Sequence, residues 1–126
     1  MQKHWLLGVV YVFAALALMA QELPRLTVNI PFEFMAGAKS LPAGRYELVP
    51  NDRGTEVAVR NLQGKGEAIV PCLTRLAPRP GSQATLLFDK IDSVTHLAEM
   101  HLPGKDGFML KSTPGPHSHV TITPGK

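Results

Sequence analysis

Four of the five histidines, His96, His101, His117 and His119, fall in the last third of a 126-residue chain. Imidazole is the commonest protein ligand for first-row transition metals, and His117 and His119 are separated by one residue. On a strand that spacing puts both rings on one face with about 6.5–7 Å between their Cα atoms, within reach of a shared Zn²⁺ or Cu²⁺ ion. His96 and His101 have opposite strand parity, which weakens a site built from all four. The plain alternative is surface histidines on a tail and on an ordinary strand.

Other reactive side chains make a weaker pattern. Ser82, Ser93, Ser112 and Ser118 lie among Gly and Pro neighbours that mark turns, and none sits in a nucleophile-elbow sequence. Glu33, Glu47, Glu56 and Glu67 each fall on the polar side of an alternating segment, where solvation accounts for them. No catalytic residue is assigned, and the protein is read as non-enzymatic. The one cysteine, Cys72, follows Pro71 in an apolar run. It is either an inert thiol in the core or a reactive one able to link two chains.

The elements that must position these residues are short. Gly and Pro number 11 each, which disfavours a helical bundle and favours brief strands joined by tight turns. Lys+Arg total 13 against 10 Asp+Glu, a net charge of +3 spread along the chain, so no nucleic-acid footprint is expected. The opening, Met1-Gln-Lys-His4, is basic, and Trp5 to Met19 then runs fifteen residues without a charge, ending near Ala20. Fifteen helical residues span about 22 Å, short of a ~30 Å hydrocarbon core. A secretory signal peptide over residues 1–20 is therefore expected, with an uncleaved anchor as the alternative. No transmembrane segment is expected in the remaining chain, and the location is periplasmic or secreted. Removing residues 1–20 leaves 12 Lys+Arg against 10 Asp+Glu, no Trp and four Phe. That scarcity of exposed-platform aromatics disfavours a carbohydrate-binding role.

Arg25 to Phe34 alternates strictly, with Leu26, Val28, Ile30, Phe32 and Phe34 on one parity. A ten-residue strand is predicted there, at a sheet edge or bulged where Pro31 lacks its N–H. Met35 to Gly44 reads as a connection. Further strands are predicted at Arg45–Pro50, Thr55–Leu62, Glu67–Leu73, Ala84–Phe88 and Phe108–Lys111, with Thr74–Gly81 as loop and Asp89–Ser93 as a turn or a shared bend. Val94 to Leu102 fits a strand or two helical turns, and strand is favoured by its strand-rich surroundings. The predicted core is Leu26, Val28, Ile30, Phe32, Phe34, Tyr46, Leu48, Val57, Val59, Ile69, Leu86 and Phe88. The fold expected is all-β: an antiparallel β-sandwich or small partly open barrel of six to eight short strands. Residues 21–113 form that β domain, and 114–126 a C-terminal segment that is a last strand or disordered.

Ile30-Pro-Phe-Glu-Phe34, followed by Leu41-Pro-Ala-Gly-Arg-Tyr46 and later by Leu86-Leu-Phe88, resembles a group of small exported β-rich proteins of acidobacteria and related soil bacteria. The resemblance covers about Val28 to Leu110. It implies export and a β-rich fold, and it brings no catalytic residues with it.

The functional expectation is a non-enzymatic exported binding or structural module of the cell envelope. Its partner would be an envelope protein or a second copy of the chain, met through a sheet edge. The alternative is a metal-binding protein using His117 and His119, joined by His96 or His101, with Zn or Cu as the ion.

Overall fold

The computed structural model describes residues 24–81 and 83–124. The expected signal peptide lies outside the described residues. Within them the chain is all-β, with eleven strands in two sheets that pack face to face and do not close into a barrel. The first sheet has the order β1 (Leu26–Ile30), β4 (Gly44–Pro50), β5 (Glu56–Asn61), β6 (Glu67–Pro71), antiparallel throughout. The second runs β11 (Ser118–Ile122), β8 (Thr85–Ile91), β9 (Val94–His101), β10 (Gly107–Met109), β7 (Thr74–Leu76). The hairpin of β2 (Phe34–Ala36) and β3 (Lys39–Leu41) joins this second sheet through a parallel contact of β2 with β9. Eleven strands exceed the six to eight expected, because four pieces of three residues each pair briefly with longer neighbours.

Pro31 divides the ten-residue alternation. Its first half is the edge strand β1, and the chain then passes at residues 31–33 from the first sheet to the second. A residue without an N–H suits that crossing, since it leaves no donor unpaired there. Side-chain parity survives the change of sheet: Leu26, Val28, Ile30 and Phe34 are buried, and Phe32 is half-buried against the same core. Phe34 meets Tyr46 of the first sheet edge-on at 5.2 Å between centroids and Phe88 of the second at 5.7 Å. Phe32 also packs edge-on against Phe88, at 5.0 Å. Such edge-to-face contacts add about 0.5–1.5 kcal/mol each beyond area burial. The Tyr46 hydroxyl donates to the carbonyl of Pro42, so its buried polar tip is satisfied.

Three local expectations are corrected. The Met35–Gly44 connection is a hairpin, whose two-residue loop puts Gly37 at φ 63°, where a type II′ turn needs glycine. The loop at residues 74–81 begins as strand β7, which pairs with β10 and stops before Pro78. The turn expected at Asp89–Ser93 is shorter: β8 continues to Ile91, and only Asp92 (φ 49°) and Ser93 (φ 71°) turn the chain. Two successive positive φ values fit a type I′ turn, whose twist matches the flanking strands.

Ile69 is 60% exposed and is not a core residue; Val70 takes its place at 0%. The cause is register. Val57 and Val59 face inward on β5 and lie opposite Val70 and Ala68, while Ile69 lies opposite outward-facing Ala58. Paired residues share a face, so Ile69 must point away from the core.

Candidate functional site

All four candidate histidines lie on, or against, the outer face of the second sheet. Leu86 and Phe88 of β8 face the core, which sends Leu87 and Asp89 outward. On β9 the register steps from Leu87↔Glu99 to Phe88↔Leu97, leaving Ala98 as the extra residue of a bulge. The bulge resets parity, so Leu97 and Met100 both face the core while His96, Glu99 and His101 face outward. The Ala98 carbonyl accepts from the N–H groups of both Leu110 and Lys111, at 2.7 and 3.2 Å. That anchor launches the segment leading from β10 across the sheet to β11, which carries His117 and His119 over Asp89.

Asp89 is the centre of the arrangement and is only 4% exposed. Thr113 donates its hydroxyl to Oδ2 at 2.7 Å, and His119 Nδ1 lies 2.8 Å from Oδ1. An ionised carboxylate only accepts, so this contact requires a proton on His119 Nδ1. His117 Nδ1 lies 2.8 Å from the Gly115 carbonyl, which is likewise an acceptor. His117 Nε2 lies 3.8 Å from Asp89 Oδ1. The two rings stand edge to face with centroids 4.8 Å apart. One donor atom from each of Asp89, His117 and His119 lies within 4.8 Å of the others. A hydrogen bond that fixes one ring nitrogen and leaves the other free is the usual way proteins prepare a metal-binding histidine.

His96 and His101 do not join this group. His96 sits one strand further on, in register with Asp89 on one side and Met35 on the other. Burial holds its pKa below the ordinary histidine range, Lys111 lowers it further, and Asp89 partly offsets both. His101 is 5% exposed and pairs through Nε2 with Glu99 Oε1 at 2.8 Å. Its ring lies flat against Gly107, where a Cβ would come within 2.5 Å of Nδ1. That buried Nδ1 has no hydrogen-bond partner. The same Glu99 Oε1 meets Arg79 at 3.8 Å, so His101 belongs to a separate polar cluster.

Asp89 is the residue that sequence reasoning missed. It follows the apolar run Ala84–Phe88, and its place looked like the start of a turn. A carboxylate directly after five residues of strand pattern, with β8 continuing two residues beyond it, was the available signal. The histidine ring nitrogens bond to Asp89, Glu99 and the Gly115 carbonyl, and none of these contacts involves a serine. Cys72 is half-buried and directs its thiol to the Thr74 carbonyl at 3.1 Å. Compared with protein-family models, with curated proteins and with solved structures, the chain matches none.

Proposed function

We propose that the protein is a non-enzymatic exported binding module of the cell envelope, and that it binds a divalent transition metal, Zn²⁺ or Cu²⁺, at Asp89, His117 and His119. The carrying observation is a buried carboxylate with two imidazoles around it, one ligand atom of each lying within 4.8 Å of the others. One negative charge with two neutral nitrogens suits a dication, and borderline ligands of this type suit Zn and Cu. Thr113 and the backbone of Gly115 would hold the ligands in place once the ion binds, as supporting groups do in known metal sites. Export is supported by the basic and apolar opening of the chain and by the resemblance of its Ile30–Tyr46 motifs to exported proteins.

Titration of Zn²⁺ and of Cu²⁺ into the purified protein, and into a His117→Ala/His119→Ala variant, tests the reading. Binding at about micromolar Kd, corresponding to roughly 8 kcal/mol, is expected for the parent and lost in the variant. Equal binding by both proteins, or none by either, overturns it.

A second reading is favoured by one observation. β1 is the outer strand of the first sheet, with all five residues paired to β4 on one side and no described strand on the other. A strand from an envelope protein or a second copy could extend the sheet there. Light scattering from micromolar to near-millimolar concentration, with Cys72→Ser to remove oxidative dimers, reports the self-pairing form. A monomer throughout, with no envelope protein crosslinked in cells, rejects it.

A further inference from the structure

The outer face of the first sheet takes no part in the divalent site, and its side chains follow a pattern of their own. Register sets them in rows across the strands, because paired residues share a face. One row is Thr27, Glu47, Arg60 and Glu67, and the next holds Val49, Ala58 and Ile69. Leu62, one residue past β5, has the same outward parity. Ile69 and Leu62 are 60% and 45% exposed, two of the four large apolar side chains so exposed among the described residues. Arg25 reaches Glu47 at 3.1 Å and Arg60 reaches Glu67 at 3.4 Å. A hollow of about 310 Å³ opens here, with Val49 and Ala58 in its wall between those charged groups. Arg25, Arg45 and Arg60 balance Glu47, Glu56 and Glu67, so this face is neutral although the whole chain carries +3.

We infer that this face binds a second copy of the chain, face against face, about a two-fold axis parallel to the strands and between β4 and β5. Such an axis reverses the order of the strands and keeps each row opposite itself. Glu47 then meets the second copy's Arg60, and Arg60 meets its Glu47, so one symmetry operation makes two opposite-charge pairs. In the next row Val49 and Ala58 exchange places, and apolar surface meets apolar surface. Ile69 and Leu62 fall on the aliphatic stems of Arg25 and Arg45. An axis across the strands would set Glu47 on Glu47 and Arg60 on Arg60, or the charged row on the apolar one. The charge pattern therefore selects the operator, and aligned sheets accommodate the offset of about 30° that twist imposes. Four strands about 4.8 Å apart, five residues long at about 3.3 Å each, offer roughly 300 Å² per copy. That is well under the ~800 Å² per partner of a stable complex, so the dimer is weak and forms by mass action. It leaves the β1 edge uncovered and uses none of the histidines, so it stands apart from strand addition and from metal binding.

The test is charge complementation, read by sedimentation and light scattering on the purified protein. Cys72→Ser is the parent throughout, and EDTA keeps metal ions from bridging the histidines. The parent is expected to dimerise with a Kd on the order of 100 μM. Glu47→Arg alone sets arginine against arginine across the axis, and Arg60→Glu alone sets glutamate against glutamate. Each is expected to weaken dimerisation by about tenfold or more. Their equimolar mixture restores both pairs and is expected to form a heterodimer within about threefold of the parent's affinity. Ile69→Ser is expected to weaken dimerisation by about threefold or more while the urea midpoint stays in place. A parent that remains monomeric to near-millimolar concentration overturns the inference. So does a dimer that survives both charge reversals, which puts self-association at the β1 edge instead, or a mixture no more associated than either variant alone.

Discussion

The two sheets solve different problems, although one chain threads both. The first is regular: β1, β4, β5 and β6 pair antiparallel, five residues to each neighbour, with no break in register. Its inward positions are mostly apolar, with Asn61 of β5 as the one buried polar residue among the described ones, and its outward positions carry simple exposed ion pairs such as Arg60–Glu67. The second sheet contains a bulge, a parallel contact, a hairpin grafted onto β9 and a long crossing from β10 to β11. All four candidate histidines and the buried Asp89 lie on or against it. On the second sheet the bulge turns Glu99 and His101 outward side by side, and the crossing from β10 to β11 brings Thr113 to Asp89. The histidine and carboxylate clusters of the described residues lie on the less regular sheet.

The strongest challenge to that division is to remove what joins the sheets. Phe34→Ala deletes a fully buried ring that touches Tyr46 of one sheet and Phe88 of the other. A loss of about 3–5 kcal/mol is expected, read as a lower urea midpoint with unchanged slope. A loss below about 1 kcal/mol would mean that the sheets are held together elsewhere.

Removing Asp89 should separate the sheets' behaviour. Asp89→Ala takes away the acceptor for Thr113 and His119 at once, and hydrogen bonds to a charged group contribute about 1.5–3 kcal/mol. Global stability is expected to fall by about 2–3 kcal/mol, with amide exchange in β11 accelerating more than in β5. Equal acceleration in both strands would make Asp89 a general packing residue and not the clasp of the C-terminal strand.

The smallest effect tests register within the regular sheet. Val70→Ala should cost about 2 kcal/mol from lost buried methyls and the cavity left behind. Ile69→Ala, one residue away on the solvent side, should change stability by less than about 0.5 kcal/mol. Comparable losses at the two positions would contradict the Val57↔Val70 pairing.

Residue type alone determined the fold class, because strict alternation in Leu26–Ile30, Tyr46–Leu48 and Val57–Val59 has no helical reading. It marked Pro31 as an edge or bulge position but ran the strand through it, and it placed Gly37 in a connection where the structure has a hairpin turn. Sequence could not choose between Ile69 and Val70, because both are apolar and the choice depends on which β5 residue lies opposite. Nor could it decide Val94–Leu102: the Ala98 bulge places Leu97 and Met100 on one face three residues apart, which imitates helical spacing. The candidate site divides in the same way. His117 and His119 were legible together because their two-residue spacing keeps the rings close, 4.8 Å between centroids, although His117 precedes β11. Asp89 lies 30 residues from His119 in the chain, and only the β8–β11 register brings the carboxylate under the rings. Local periodicity is written in consecutive side chains, whereas cross-strand neighbours are set by register, bulges and crossings that arise only when the whole core packs.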